Sequence, residues 1–267
     1  GYRLVIVGNN AAPLEAVAEE IRRTAGASAA GTGRGEIPAA GIQTAGTPVA
    51  GRIEAPATPT HLPEVRVMPM DLARVGAAQE LHDRTAAEGI EINAGIFSFC
   101  DILTTPAERI ERIILLHDLT VSQLCRLYAA DMVRRGVRGH ILNMSSYSLW
   151  MPFPGLALYS ASKAYMRSFS VAFAKEVRDR GIRVTAVCPA GVATDLYGLT
   201  PRWQRIGKRL GVLITPDNCA RRGLRALWRG RRCIVPDWWN RAWIPLCKAL
   251  PMWVLRPIRR FTMQFQK

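Results

Sequence analysis

A phenol and an ammonium four residues apart, Tyr159 and Lys163 in Tyr-Ser-Ala-Ser-Lys, are the groups in this chain best spaced to move a proton. On a helix, positions i and i+4 share a face, so the two heads can enter one cleft. A free phenol titrates near ~10. A neighbouring cation favours the phenolate and brings such a tyrosine into use as an acid or base near neutral pH. The same spacing also arises by chance on helices, and its surroundings have to give it meaning. Thirteen residues upstream of Tyr159 lies Ser146, just past the run His140–Met144. A hydroxyl there either ends a strand or hydrogen-bonds a carbonyl oxygen as charge develops on it. On spacing, Ser146 is preferred to Ser145 for the second role.

These groups need a frame. Tyr2–Gly8 reads as a buried strand, and Ala12–Arg23 as a helix with Leu14, Val17, Ala18 and Ile21 on one face. Further strands are expected at Val65–Met68, within Gly89–Phe97, at His140–Met144, at Ile182–Cys188 and at Cys233–Val235. Long helices are expected at Glu108–Arg135 and Ala157–Arg180, the second capped by Gly181. Strands alternating with helices argue for an α/β fold with a parallel sheet and right-handed crossovers. Residues 24–60 carry seven Gly and four Pro without periodicity, and read as a flexible insertion. Gly31-x-Gly33-x-Gly35 inside it imitates a phosphate loop, but no strand precedes it.

The 267 residues fit one large α/β domain. The six Cys and four His show no disulfide framework or metal-ligand spacing, so no metal is expected. The thiols suit a reducing, cytoplasmic setting. The formal net charge is +15, and it is uneven: residues 202–267 hold sixteen basic side chains against two acidic ones, with six of the seven Trp. No nucleic-acid-binding signature accompanies this charge, and nucleic acid is not expected as a partner. Trp243–Leu255 is too short to span a bilayer, and its prolines break a helix. Two readings stand for the stretch 201–267. It covers the substrate cleft, or it lies on an anionic membrane through residues 238–261 as a peripheral contact.

Taken in order, Asn143-Met144-Ser145-Ser146, Tyr159-x-x-x-Lys163 and Cys188-Pro189-Ala190-Gly191-Val192-Ala193-Thr194 resemble the core of the short-chain dehydrogenase/reductase family. Asn93-Ala94-Gly95 resembles the family's turn after its fourth strand, and Asp71-Leu72 its acidic turn at adenine. The resemblance implies a Rossmann-like, doubly wound, three-layer sheet over residues 1–200. It implies an NAD(P)-dependent oxidoreductase that interconverts a ketone and a secondary alcohol, here on a hydrophobic substrate. Tyr159 would exchange the proton, Lys163 would support it and hold the nicotinamide ribose, and Ser146 would orient the carbonyl. Asn9, Asp71, Asn93, Ala94, Gly95, Pro189, Val192 and Thr194 would complete the cofactor cleft. A homo-oligomer built on the two long helices is also implied.

The sequence departs from the family in places. The family's first strand and Gly-rich loop, a helix-N-terminal phosphate cradle, have no counterpart before Tyr2. A catalytically silent, membrane- or partner-binding remnant is therefore the alternative function. The fourth strand is short. The relay position usually held by Asn falls on His117, which can also relay protons or be purely structural. Asn9-Asn10 replaces the acid that selects NAD, so NADP is favoured with NAD still open.

Overall fold

The structure, a computed structural model, describes residues 3–8, most of 15–23, 64–85, 100–193 except 152, 200–237 except 210 and 212, and isolated positions between 240 and 257. The strand expected within 89–97 and the insertion at 24–60 lie outside the described residues, as does most of the chain beyond 237.

Strands β1 (Arg3–Gly8) and β2 (Glu64–Pro69) pair in parallel from Arg3↔Glu64 to Gly8↔Pro69. Helix α1 (Ala77–Thr85) turns Ala77, Ala78, Leu81, His82 and Thr85 inward, a stripe at helical spacing. The expected helix at 108–135 is three pieces: α2 (Ala107–Ile114), a π-helical turn (Leu115–Thr120) and α3 (Val121–Arg134). Leu116 and Leu124 pack with Val7, Met68, Leu72 and Leu81 in one core.

A second parallel sheet has the order β3 (Gly139–Met144), β4 (Ile182–Val187), β7 (Cys233–Ile234). Between β3 and β4 runs α4 (Ala157–Glu176), which ends in a short 3-10 turn (Arg178–Arg180) rather than continuing as α-helix to Arg180. Gly181 follows at φ 77°, the left-handed conformation expected of this cap. A third pair joins β5 (Gly191–Val192) to β6 (Leu213–Ile214). Helices α5 (Pro201–Arg209) and α6 (Pro216–Trp228) complete the order. The sequence reading names neither of these helices, nor α1. The serine-rich loop at 145–154 also contains a 3-10 turn, Tyr147–Trp150.

Alternation along β3 shows how the layers form. Successive strand side chains point to opposite faces. Leu142 and Val187 meet α6 at Gly223, where an added Cβ would lie 3.1 Å from Val187 Cγ2 and 3.6 Å from Leu142 Cδ1. The next residue, Asn143, points the other way, to Ser170 Oγ of α4 at 2.9 Å and Cys125 Sγ of α3 at 3.4 Å. Helices thus cover both faces of a parallel sheet, as the Rossmann-like reading requires. Residues 216–234 belong to this sheet and its layer.

Candidate functional site

Parallel strands place all their carboxyl ends on one edge, and the α/β ligand cleft opens there. The β3–β4 pairing runs on past both strands: Ser145 N donates to Val187 O and Tyr147 N to Pro189 O, each at 2.8 Å. Ser146 and the buried Pro189 therefore stand at one sheet edge. Ser146 Oγ accepts from Ser148 N at 3.1 Å and caps the 3-10 turn.

Helix α4 is fastened to this edge at Lys163. Its backbone carbonyl accepts from Ser145 Oγ at 2.7 Å, and its own Nζ donates to Met144 O at 3.0 Å. Lys163 is 4% exposed. Burial pulls its ammonium down to about 8, while the Asp118 carboxylate opposes the fall. One turn earlier, Tyr159 is buried, and Lys163 Nζ sits 5.7 Å from its ring centroid. The i, i+4 spacing thus brings the expected pair together.

The π turn delivers the third expected residue. His117 is fully buried, with its ring edge-on to Tyr159 at 6.0 Å and 70°. Its Nδ1 lies 2.8 Å from Ser162 Oγ, and that hydroxyl donates to Tyr159 O at 2.9 Å. A hydroxyl has one proton to give. With it on Tyr159 O, His117 Nδ1 carries the hydrogen between the ring and Ser162. Burial, and then the Lys163 charge, push His117 down to about 3, so the ring is neutral at physiological pH.

Three participants are absent from the sequence reading. Ser162 sits inside the Tyr-x-x-x-Lys motif, and its i−3 spacing from Tyr159 was the available signal. Asp118 is pushed up to about 6 by burial, against the pull of Lys163, and its Oδ1 is buried without a hydrogen-bond partner among the described residues. Asp237, just past β7, is buried and held above the usual carboxylate range by desolvation, while the Ala190 backbone N–H and Asn240 side chain oppose the rise. It ties the chain after the last strand to the Pro189–Val192 turn. Nearby, Tyr147 Oη donates to Asn240 O at 2.7 Å, and Ile244, like Leu149, Trp150, Met151 and Ala190, packs against the buried cluster of Tyr147, Ala186, Cys188 and Val235. No sequence signal marks Asp237, because its contact with Ala190 is tertiary.

Of the expected cofactor residues, Asn9, Asn93, Ala94, Gly95 and Thr194 lie outside the described residues. Val192 sits in β5. Asp71 pairs with Arg112 through two contacts, at 3.0 and 3.3 Å, and accepts from Ala73 N at 2.9 Å. That Ala73 bond, with the Arg112 guanidinium, holds its carboxyl below the ordinary value despite partial burial. Around Lys163 the residues fit the hydroxyl groups of a dinucleotide: an ammonium has three N–H groups, and among the described residues Met144 O takes one from Lys163.

A family model described as short chain dehydrogenase matches residues 56–205. The chain is 31% identical over 136 residues to "Probable oxidoreductase EphD" of Mycobacterium tuberculosis (strain CDC 1551 / Oshkosh), covering 49% of this chain and 23% of that protein. It is 38% identical over 97 residues to the very-long-chain 3-oxoacyl-CoA reductase of Bos taurus, covering 36% of this chain and 31% of the relative. The chain thus spans well under half the length of either relative. Among solved structures, a short-chain dehydrogenase from Sphingobium yanoikuyae in complex with NADPH superposes with TM-score 0.65 at 23% identity, over 94% of this chain and 87% of that one. This likeness supports the Rossmann-like fold. With the family pattern matched over more than half of its length, the chain belongs to the short-chain dehydrogenase family of oxidoreductases.

Proposed function

We propose that the chain interconverts a ketone and a secondary alcohol with NAD(P), NADP being favoured. The observation that carries this reading is the buried Tyr159 ring beside the Lys163 ammonium at the carboxyl edge of the sheet. When bound, the nicotinamide supplies or accepts a hydride at the substrate carbon. Tyr159 gives or takes the proton at the substrate oxygen. The Lys163 charge favours the phenolate during that transfer, and its remaining N–H groups suit the ribose hydroxyls. Ser146 orients the carbonyl. His117 is neutral; with its Nδ1–H donating to Ser162, Nε2 is the ring atom that would take a proton and give it back in a relay.

Pro189, Val192 and Thr194 would line the nicotinamide end; Asn9, Asn93, Ala94 and Gly95 the ribose and cleft floor; Asp71 the adenine. The Sphingobium neighbour was solved with NADPH, which supports the choice of NADP. The bovine relative's name, a very-long-chain 3-oxoacyl-CoA reductase, favours a long apolar substrate. So does the apolar wall of Leu149, Trp150, Met151 and Ile244. That wall also favours the cover reading for residues around 240–244 over a membrane role for the same segment.

The test is NADPH and NADH titration by nucleotide fluorescence, then turnover of a ketone panel by wild type and Tyr159→Phe. Loss of the phenol hydroxyl is expected to lower turnover by a factor of at least ~100 with nucleotide binding kept. A phenylalanine variant that turns over like wild type would remove Tyr159 from the reaction.

A further inference from the structure

Beyond the reaction, the opposite end of the molecule has a chemistry of its own. In a parallel sheet the amino ends of the strands also share one edge. The turns that enter β3, β4 and β7 are therefore neighbours. Their sequences are Arg-Arg-Gly-Val-Arg (134–138), Arg-Asp-Arg-Gly-Ile-Arg (178–183) and Arg-Gly-Arg-Arg (229–232). Nine arginines meet one acid, Asp179, and every one of the nine is exposed.

The contacts between the turns are direct. Gly139 N donates to Gly181 O at 3.4 Å, and the Arg138 side chain lies against Gly181, 3.2 Å from where a Cβ would be. Arg183 donates through Nη1 to Trp228 O. Ala186 N donates to Arg232 O at 3.0 Å, and Thr185 Oγ1 to Arg231 O at 2.6 Å. One carboxylate offsets part of the charge: Asp131 pairs with Arg134.

Apolar side chains stand among the arginines. Trp228 is 61% exposed, Val133 41% and Val137 40%. Water gains nothing from a half-exposed valine, and a phosphodiester backbone has no use for one. An anionic lipid surface uses both kinds of group: headgroup phosphates take the guanidiniums, and the acyl boundary takes Trp and Val.

We propose that this arginine-rich end docks on an anionic membrane surface through Trp228 and the three turns, with the catalytic edge facing away from the lipid. The proposal is independent of the reaction assigned above. The test is co-sedimentation of the full chain with phosphatidylcholine vesicles, with and without phosphatidylserine, at low and physiological salt.

Wild type is expected to bind only the anionic vesicles, and less tightly as salt rises. The set Arg138→Glu, Arg180→Glu, Arg231→Glu is expected to weaken binding by about a hundredfold. The matching lysine set should keep it, which separates charge from misfolding. The set Arg202→Glu, Arg205→Glu, Lys208→Glu on α5 makes the same charge change elsewhere and should keep most of the binding. Trp228→Ser should lower the binding that survives at physiological salt. The proposal is overturned if the first glutamate set binds like wild type, or if the α5 set loses as much. It is also overturned if the lysine set fails while still folded by circular dichroism, or if the arginine turns retain a labelled RNA while vesicles are ignored.

Discussion

His117 occupies a place where sequence alone leaves open a proton relay beside the commoner structural histidine. Its ring is buried and neutral, held by Ser162, with a folded value of about 3. The sign of its contribution to stability follows. Below the unfolded value of about 6.5 the denatured chain takes up a proton that the native ring refuses, so stability falls from pH 6.5 toward 3. Asp118 works in the opposite sense over a narrower window. Its native carboxyl protonates near 6 and its unfolded one near 3.8, so it favours the fold as pH drops through that range. His117→Asn removes the larger slope. Urea unfolding at pH 7 and pH 4 should show wild type losing on the order of 2–3 kcal/mol more than the variant. Equal losses would mean that the ring is protonated in the native state. Tyr159 and Lys163 were legible because helical spacing is a local property. The Asp237–Ala190 contact and the His82–Asp131 contact, 2.6 Å across 49 residues, were not, since nothing near these residues in sequence announces the partner.

The elements position the site mainly through β3, β4 and the helix fastened to them at both ends of Lys163. β1, β2, β3, β4, β7 and the two long helical stretches, the first without its π turn, are legible in the sequence, because their apolar runs are unbroken or cleanly periodic. Helices α1, α5 and α6 are not. In Ala77–Thr85 the inward stripe is partly alanine, which carries little hydrophobic signal. In Pro216–Trp228 three arginines dominate the pattern, while the buried side is only Cys219, Gly223, Ala226 and Leu227. The small residue is the reason α6 lies close to the sheet. Gly223→Leu would drive a side chain into Val187 and Leu142. Overpacking of this kind costs about 1–3 kcal/mol. A fall in the thermal midpoint checks it, whereas an unchanged midpoint would place α6 further from the sheet than its contacts imply.

At the scale of the whole molecule, the exposed side of α4 bears on assembly. Tyr165, Phe169 and Phe173 form a stacked row, with ring centroids 6.1 and 5.5 Å apart, and Tyr165 is 43% exposed. Tyr165 also joins α3 through Ser122 Oγ at 2.9 Å. We propose that this row is the homo-oligomer contact. Light scattering should show Tyr165→Glu at roughly half the wild-type mass or less; a monomeric wild type would rule the contact out. The common direction of β3, β4 and β7 has one more consequence. Ser146, Tyr159 and Lys163 gather where the strands finish and guanidiniums where they start, so the molecule has a built-in up and down. On a negatively charged solid support it will settle arginines first, and the immobilised chains will share one heading, each with its cleft open to the flowing solution.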